Sequence, residues 1–265
     1  MMTNTTYDDF SQDYDRFVNW ESRLAAEMPF LEHLLGQVST GQARPLSVLD
    51  AACGTGMHAI ALARKGYTAA GADYSQGMVA AAQANADKQN AQVLFKHAGF
   101  NEIKRAFEQE ANFPFDTITC FGNSLPHLTS REAIKQALLD FANCLRPGGL
   151  LVLQNRNFDA VMAKRERWIG PQSYSENGND WLFLRFYDFD PDGLISFNIV
   201  RLKREAGGEW KQALSTVRLY PLLKEEMLKL LDETGFGQVS LYGMMRDIPF
   251  DPLSSENLVV AAVKK

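Results

Sequence analysis

The chain has 265 residues, 46% of them hydrophobic and 22% charged, enough for one large α/β-type domain or a core domain carrying an insertion. Its 27 Lys and Arg stand against 32 Asp and Glu for a net charge of −5, with no basic run to neutralise a row of phosphates, which argues against a nucleic-acid or anionic-membrane partner. Cys53, Cys120 and Cys144 have no paired spacing, so neither a disulfide framework nor a cysteine metal site is indicated. The N-terminus is polar and acidic, and no stretch nears the ~20 apolar residues of a membrane span. A soluble protein of a reducing, cytoplasmic compartment is expected, with a homo-oligomer left open.

Trp20 to Leu35 carries Leu24, Met28, Leu31, Leu34 and Leu35 near helical spacing and predicts a first helix. Leu46 to Leu49 reads as a strand, Asp50-Ala-Ala-Cys-Gly-Thr-Gly56 as a loop, and the Ala-rich stretch through Arg64 as a helix closed by Gly66. The unit then repeats. Tyr67 to Ala72 is a second strand ending in Asp73, and Ser75 can cap a helix to about Lys88. Val93 to His97, Phe115 to Phe121 and Gly149 to Gln154 are three more strands, with a helix over Arg131 to Leu145. Such alternation implies right-handed crossovers and a mostly parallel sheet covered on both faces.

After Asp159 the period changes. Trp181 to Phe189, Leu194 to Arg204 and Glu209 to Tyr220 read as three strands joined at Asp190-Pro-Asp-Gly193 and Ala206-Gly-Gly208, an antiparallel flap inserted into the core. Helix (Lys224 to Glu233) and strand (Gln238 to Tyr242) return, and Asn257 to Val263 closes the chain antiparallel to its neighbour. The expected fold is a doubly wound, seven-stranded, mostly parallel sheet. It divides into an N-terminal helical cap (1–40), an α/β core (41–159 and 221–265) and a flap (160–220).

Gly54-Thr-Gly56-Met-His-Ala59 fits the glycine pattern of dinucleotide sites, with Asp73 at the next strand's end. Asp50, four residues before Gly54, is out of place there, because a carboxylate repels pyrophosphate. It suits a cationic group, such as the amino group of a methionine moiety. The glycines let backbone approach an adenosine ligand, and Asp73 can accept both hydroxyls of a ribose. The plain alternative is that Asp50 and Asp73 cap the helices that follow them. Both lie where α/β sheets bind ligands.

Val48-Leu-Asp-Ala-Ala-Cys-Gly-Thr-Gly56, Gly71-Ala-Asp-Tyr-Ser75, Phe115-Asp-Thr-Ile-Thr-Cys-Phe121 and Leu145-Arg-Pro-Gly-Gly-Leu-Leu-Val152 together resemble the class I S-adenosylmethionine-dependent methyltransferases. Phe121-Gly-Asn-Ser-Leu-Pro-His-Leu128 and Asn155-Arg-Asn-Phe-Asp159 resemble, more narrowly, the glycine N-methyltransferases and their sarcosine and dimethylglycine relatives. The resemblance implies a Rossmann-like fold, S-adenosylmethionine as cofactor with S-adenosylhomocysteine as product, no metal, and a small-molecule acceptor methylated on nitrogen. Asn123 then contacts the acceptor and Arg156 clamps its carboxylate. Arg23 pairs with the methionine carboxylate, Phe121 and His127 flank the cofactor, and Ala52 and Phe100 line the adenosine pocket. Asp50, Gly54, Gly56, Asp73, Tyr74, Met78 and Gly99 complete the cofactor set.

Three positions depart from that pattern. Asn155 stands for His, Gly99 has no side chain to read the adenine amino group, and Phe158 replaces a Tyr whose hydroxyl meets the substrate, which argues against glycine as the best acceptor. Other readings are a methyltransferase acting on oxygen or carbon of a phenol or quinone, a nicotinamide-dependent oxidoreductase supported by the glycine spacing alone, and a catalytically silent cofactor-binding module.

Overall fold

A computed structural model describes residues 15–16, 18–38 and 44–265. Of the expected cap, residues 1–14, 17, 39 and 40 fall outside the described residues. Its helix does not: α1 (Trp20–Gly36) starts at Asn19, whose side chain accepts from the Ser22 amide, and buries Met28, Phe30, Leu31, Leu34 and Leu35.

The core alternates strand and helix through β1 (Ser47–Asp50), α2 (Met57–Arg64), β2 (Thr68–Asp73), α3 (Gln76–Lys88), β3 (Leu94–His97), α4 (Ile103–Phe107), β4 (Phe115–Cys120), α5 (Arg131–Cys144) and β5 (Leu145–Arg156). After the flap come α7 (Lys224–Glu233), β10 (Phe236–Tyr242) and β11 (Asn257–Lys264). The sheet runs β10-β11-β5-β4-β1-β2-β3. β1 through β5 pair in parallel, and β11 pairs antiparallel with β5 and with β10.

β1 and β4 are buried at every position, as strands covered on both faces must be. One face carries α1 and α2, through Leu31, Leu35, Ala59 and Leu62 against Val48, Val152 and Val259. The other carries α4, α5 and α7, through Phe107, Phe141 and Leu230 against Leu49, Ile118 and Leu153. At the amino ends of the strands Asp116, fully buried, accepts from Arg44 (2.7 Å), Arg146 (2.6 Å) and the Ser47 amide (2.7 Å), tying β1, β4 and β5 together. The helix-to-strand turn expected at Arg146-Pro-Gly-Gly149 is there, with Gly148 at φ +72 inside the span of β5.

Between β5 and α7 the chain forms α6 (Phe158–Lys164) and a second sheet of β6 (Trp168–Glu176), β7 (Asn179–Phe189), β8 (Ile195–Arg204) and β9 (Trp210–Leu219). All its pairings are antiparallel. It has four strands where the sequence reading has three. β6 is mostly exposed and contains Gly170-Pro171, with a register shift between Ile169 and Gln172, so it lacks the alternation that marks a strand. An edge strand accommodates a residue without an amide hydrogen.

The flap is fixed to the carboxyl edge of the main sheet. The Tyr220 amide donates to the Pro126 carbonyl just beyond β4 (2.8 Å), and Phe158 and Val161 of α6 pack with Tyr187, Ile195 and Leu219. Among the described residues no helix is long and apolar enough to cross a membrane.

Candidate functional site

Parallel strands put their carboxyl ends on one edge, where Asp50, Asp73, Phe121, Asn123 and Arg156 gather because each sits at or just after such an end. Asp50 ends β1 and is 2% exposed. Burial pushes its carboxyl up to about 6, against the His58 charge, the Ala52 amide and Arg23, which favour the ionised form. Its Oδ1 has no hydrogen-bond partner among the described residues. A buried carboxylate oxygen without a donor is costly; it is not the helix cap of the plain alternative.

Asp73, at the end of β2, accepts from the Gly54 amide (2.8 Å) and the Ser75 amide (2.9 Å). These bonds fix the carboxylate beside the glycine loop. The cap of α3 is Ser75, whose hydroxyl accepts from the Met78 amide.

The glycines have a reason that the sequence does not reveal. A Cβ on Gly56 would lie 2.7 Å from the Phe95 ring and 2.8 Å from Ala82, and Gly56 has φ +81. A Cβ on Gly99 would lie 2.9 Å from the Tyr74 ring. At Gly56, where the loop glycines are expected to leave room for a ligand, protein side chains fill the Cβ direction, and at Gly99 the Tyr74 ring does the same. Gly54 has φ +52, a left-handed turn that aims its amide at Asp73.

Arg23 reaches across from α1. Its Nε donates to Glu27 (3.1 Å) and its Nη2 to Gln154 of β5 (3.2 Å), with the guanidinium over Trp20. Glu27 also binds His58 Nε2 (2.7 Å) and accepts from Gln154 (3.2 Å). Burial raises its carboxyl, but His58, Arg23 and Gln154 together hold it below the usual carboxylate range. Glu27, His58 and Gln154 were not foreseen. The spacing of four between Arg23 and Glu27 is the one sequence signal that could have found this network.

Phe121 is buried and meets His58 edge-on (ring centroids 5.2 Å). Phe100 packs edge-on against Phe141 of α5 (5.7 Å). Ala52 lies at the margin of the core, Met78 is buried, and Tyr74 is 49% exposed. His127, in a short turn after β4, has its imidazole pushed down to about 4 by desolvation, so it is neutral at pH 7.

Asn123 follows Gly122, both with positive φ (+66 and +73). Its Oδ1 accepts the Arg156 amide (2.9 Å), which leaves the amide nitrogen as its outward group. Arg156 ends β5. Its Nη1 donates to Glu256 (3.0 Å), its charge acts on the Tyr187 hydroxyl of the flap, and its Nε is buried with no hydrogen-bond partner among the described residues. It is therefore not a loose surface arginine. Asn155 is 1% exposed, with neither amide atom hydrogen-bonded among the described residues. Phe158 is fully buried against the flap. The substrate-facing hydroxyl whose loss was to disfavour glycine would lie in packed core here, so that argument against glycine has no footing in the geometry.

A sheet of order β10-β11-β5-β4-β1-β2-β3, an acidic residue at each of its first two carboxyl ends and a glycine turn between them define an S-adenosylmethionine-dependent methyltransferase. Residues 48–149 match a family described as "Methyltransferase domain", and the chain is an enzyme of that class. It is 28% identical over 240 residues to a glycine/sarcosine N-methyltransferase of Aphanothece halophytica, covering 91% of this chain and 83% of the relative. It is 29% identical over 235 residues to a glycine/sarcosine/dimethylglycine N-methyltransferase of Actinopolyspora halophila, covering 88% of this chain and 38% of that longer protein. Among solved structures, an S-adenosylmethionine-dependent methyltransferase from Clostridium acetobutylicum superposes with TM-score 0.76 at 17% identity (97% and 98% of the two chains). A sugar N-methyltransferase from Streptoalloteichus superposes with TM-score 0.71 at 20% identity (100% and 95%). These two likenesses speak to the fold.

Proposed function

We propose that the protein transfers a methyl group from S-adenosylmethionine to the nitrogen of a small amine or amino acid. The observation that carries the cofactor's placement is the unpartnered, buried Asp50 Oδ1, which a methionine ammonium would satisfy. Arg23 bears on the same point, since its charge acts on Asp50, and one face of its guanidinium remains to pair with the methionine carboxylate. Asp73 would accept the ribose hydroxyls, with Gly54, Ala52, Tyr74, Met78, Gly99, Phe100, Phe121 and His127 enclosing the nucleoside. In this reading residues 1–40 cap the site, the α/β core holds the cofactor and 160–220 cover the acceptor, in a protein that works in the cytoplasm.

Bound S-adenosylmethionine supplies a methyl group already activated by its sulfonium charge. What remains for the protein is alignment, which is worth several kcal/mol where two reactants are held in line. Arg156 would hold the acceptor's carboxylate through a planar fork that Lys cannot reproduce. The Asn123 amide nitrogen, a donor, suits that carboxylate rather than the amine, whose lone pair must stay free. Neutral His127 adds no charge to repel the sulfonium.

The relatives' names favour nitrogen over oxygen or carbon as the atom methylated. Incubation with methyl-labelled S-adenosylmethionine and a panel of glycine, sarcosine, other amino acids, aromatic amines and phenols tests this. Label on the nitrogen of an amino acid is expected. Label only on a phenol or quinone would overturn it.

A further inference from the structure

Gln154 of β5 lies in the buried network that joins Arg23 to Glu27. Val152 packs toward α1 and α2, and Leu153 toward α5, so strand alternation turns Gln154 toward α1. It is 8% exposed, a burial that a carboxamide tolerates only when it is hydrogen-bonded. Both of its ends are. Oε1 accepts from Arg23 Nη2 (3.2 Å) and from the Gly122 amide (3.3 Å), while Nε2 donates to Glu27 (3.2 Å). Two donors on one side and a carboxylate on the other decide which end is oxygen. A methionine would fill the same space, so packing alone does not account for an amide here.

The partner that matters is Arg23, whose charge acts on Asp50. A free arginine side chain samples many rotamers, and ordering it only on binding costs affinity. Here it is ordered beforehand. Glu27 takes Nε at 3.1 Å and Gln154 takes Nη2 at 3.2 Å, and Glu27 is itself held by His58 of α2 at 2.7 Å. Two fixed bonds set the plane and the rotation of the guanidinium. Its Nη1 end, which neither residue uses, is thereby presented to a ligand carboxylate.

We propose that Gln154 is a positioning residue for the cofactor: by gripping Nη2 it aims Arg23 at the methionine carboxylate and gives the site its preference for a ligand that carries one. The proposal rests on the cofactor reading above and adds to it a residue that touches no part of the ligand. Without the amide, Arg23 keeps its bond to Glu27 and its charge, but one of the two bonds that fix its orientation is gone.

The test is calorimetric titration with S-adenosylhomocysteine and with its decarboxylated form, which keeps the adenosine and the ammonium, in wild type, Gln154→Met, Arg23→Ala and the double variant. Wild type is expected to bind S-adenosylhomocysteine more tightly than the decarboxylated form. Gln154→Met should weaken S-adenosylhomocysteine about tenfold, the scale of one hydrogen bond to a charged group, and leave the decarboxylated ligand unaffected. In the Arg23→Ala background the same substitution should change neither affinity, because Gln154 acts through Arg23. Unaltered S-adenosylhomocysteine affinity, an equal loss for both ligands in the folded variant, or an undiminished effect in the Arg23→Ala background overturns the role of Gln154 while the cofactor reading stands. If circular dichroism shows Gln154→Met to be unfolded, Gln154→Asn, whose amide is one methylene short of Arg23, decides. Selective loss of S-adenosylhomocysteine then supports the role, and full affinity or loss of both ligands refutes it. A wild type that binds the two ligands equally well removes Arg23 from the cofactor reading and the Gln154 role with it.

Discussion

Asp50, in the proposed cofactor site, is kept at the expense of stability. A carboxyl whose burial raises it from 3.8 to about 6 is easier to bury neutral than ionised. The resulting destabilisation is absent below about pH 4, grows through the interval and is complete above about pH 6. A shift of this size corresponds to roughly 3 kcal/mol. Asp50→Asn should therefore melt several degrees above wild type at pH 7.5 without ligand, and no higher than wild type at pH 4. Scanning calorimetry at the two pH values checks this; a lower melting temperature at pH 7.5 would mean that Asp50 has a partner in the free protein.

The residues that the sequence pointed to were those at strand ends, because chain order alone places Asp50, Asp73, Asn123 and Arg156 on one edge. Their partners were less legible. Glu256 meets Arg156 from a segment 100 residues downstream, and Tyr187 of the flap feels its charge. Such pairings depend on how two sheets dock, which no local spacing encodes. Phe158 shows the converse error, in which a motif match assigns a side chain to a cleft while its helix turns it into the core.

Among the elements, the main sheet was legible since each strand is a short apolar run between turn signals. β6 and α6 were not: one is an exposed edge strand and the other a seven-residue helix capped by Asn157. Asn157 also donates to the carbonyls of Asp251, Pro252 and Ser255, so this short helix anchors the loop before β11 as well as the flap. Arg16, ahead of α1, meets Glu176 at 3.3 Å and lies over Trp181 at 4.9 Å, while Asp15 accepts from Thr55 in the glycine loop (2.5 Å).

This N-terminal segment links the glycine loop to the flap. Cofactor bound between them should tighten the flap and exclude water from the acceptor. Limited proteolysis between Lys164 and Asn179 is expected to slow on adding S-adenosylhomocysteine. Equal cleavage rates with and without it would detach the flap from the cofactor site.

Over the whole molecule, the two ends of the sheet do different work. The carboxyl end carries Asp50 with its unmet oxygen, and the amino end carries Asp116 with every oxygen engaged. Burial raises the Asp116 carboxyl, yet Arg44, the Ser47 amide and Arg146 more than offset this and bring it down to about 2. Its contribution is present above the unfolded carboxylate value near 4 and is lost as pH falls toward 2. Asp116→Asn leaves two arginines facing a neutral amide and should lower stability by roughly 2–4 kcal/mol, less than for a fully buried pair because both arginines reach solvent. Its S-adenosylhomocysteine affinity should match wild type. Denaturant titration paired with binding separates the two ends, and a loss of affinity without loss of stability would contradict the division.

The central claim is that Asp50 and Asp73 hold the two ends of S-adenosylmethionine across the glycine loop. Calorimetric titration with S-adenosylhomocysteine, in wild type and Asp73→Ala, at pH 7.5 and pH 5, tests it most directly. The ligand's ammonium pairs only with ionised Asp50, so wild-type affinity should fall about tenfold per pH unit once pH drops below about 6. Asp73→Ala, deprived of ribose hydrogen bonds worth ~0.5–1.5 kcal/mol each, should bind at least tenfold more weakly at pH 7.5. Affinity that is the same at both pH values and unchanged in Asp73→Ala would contradict the account.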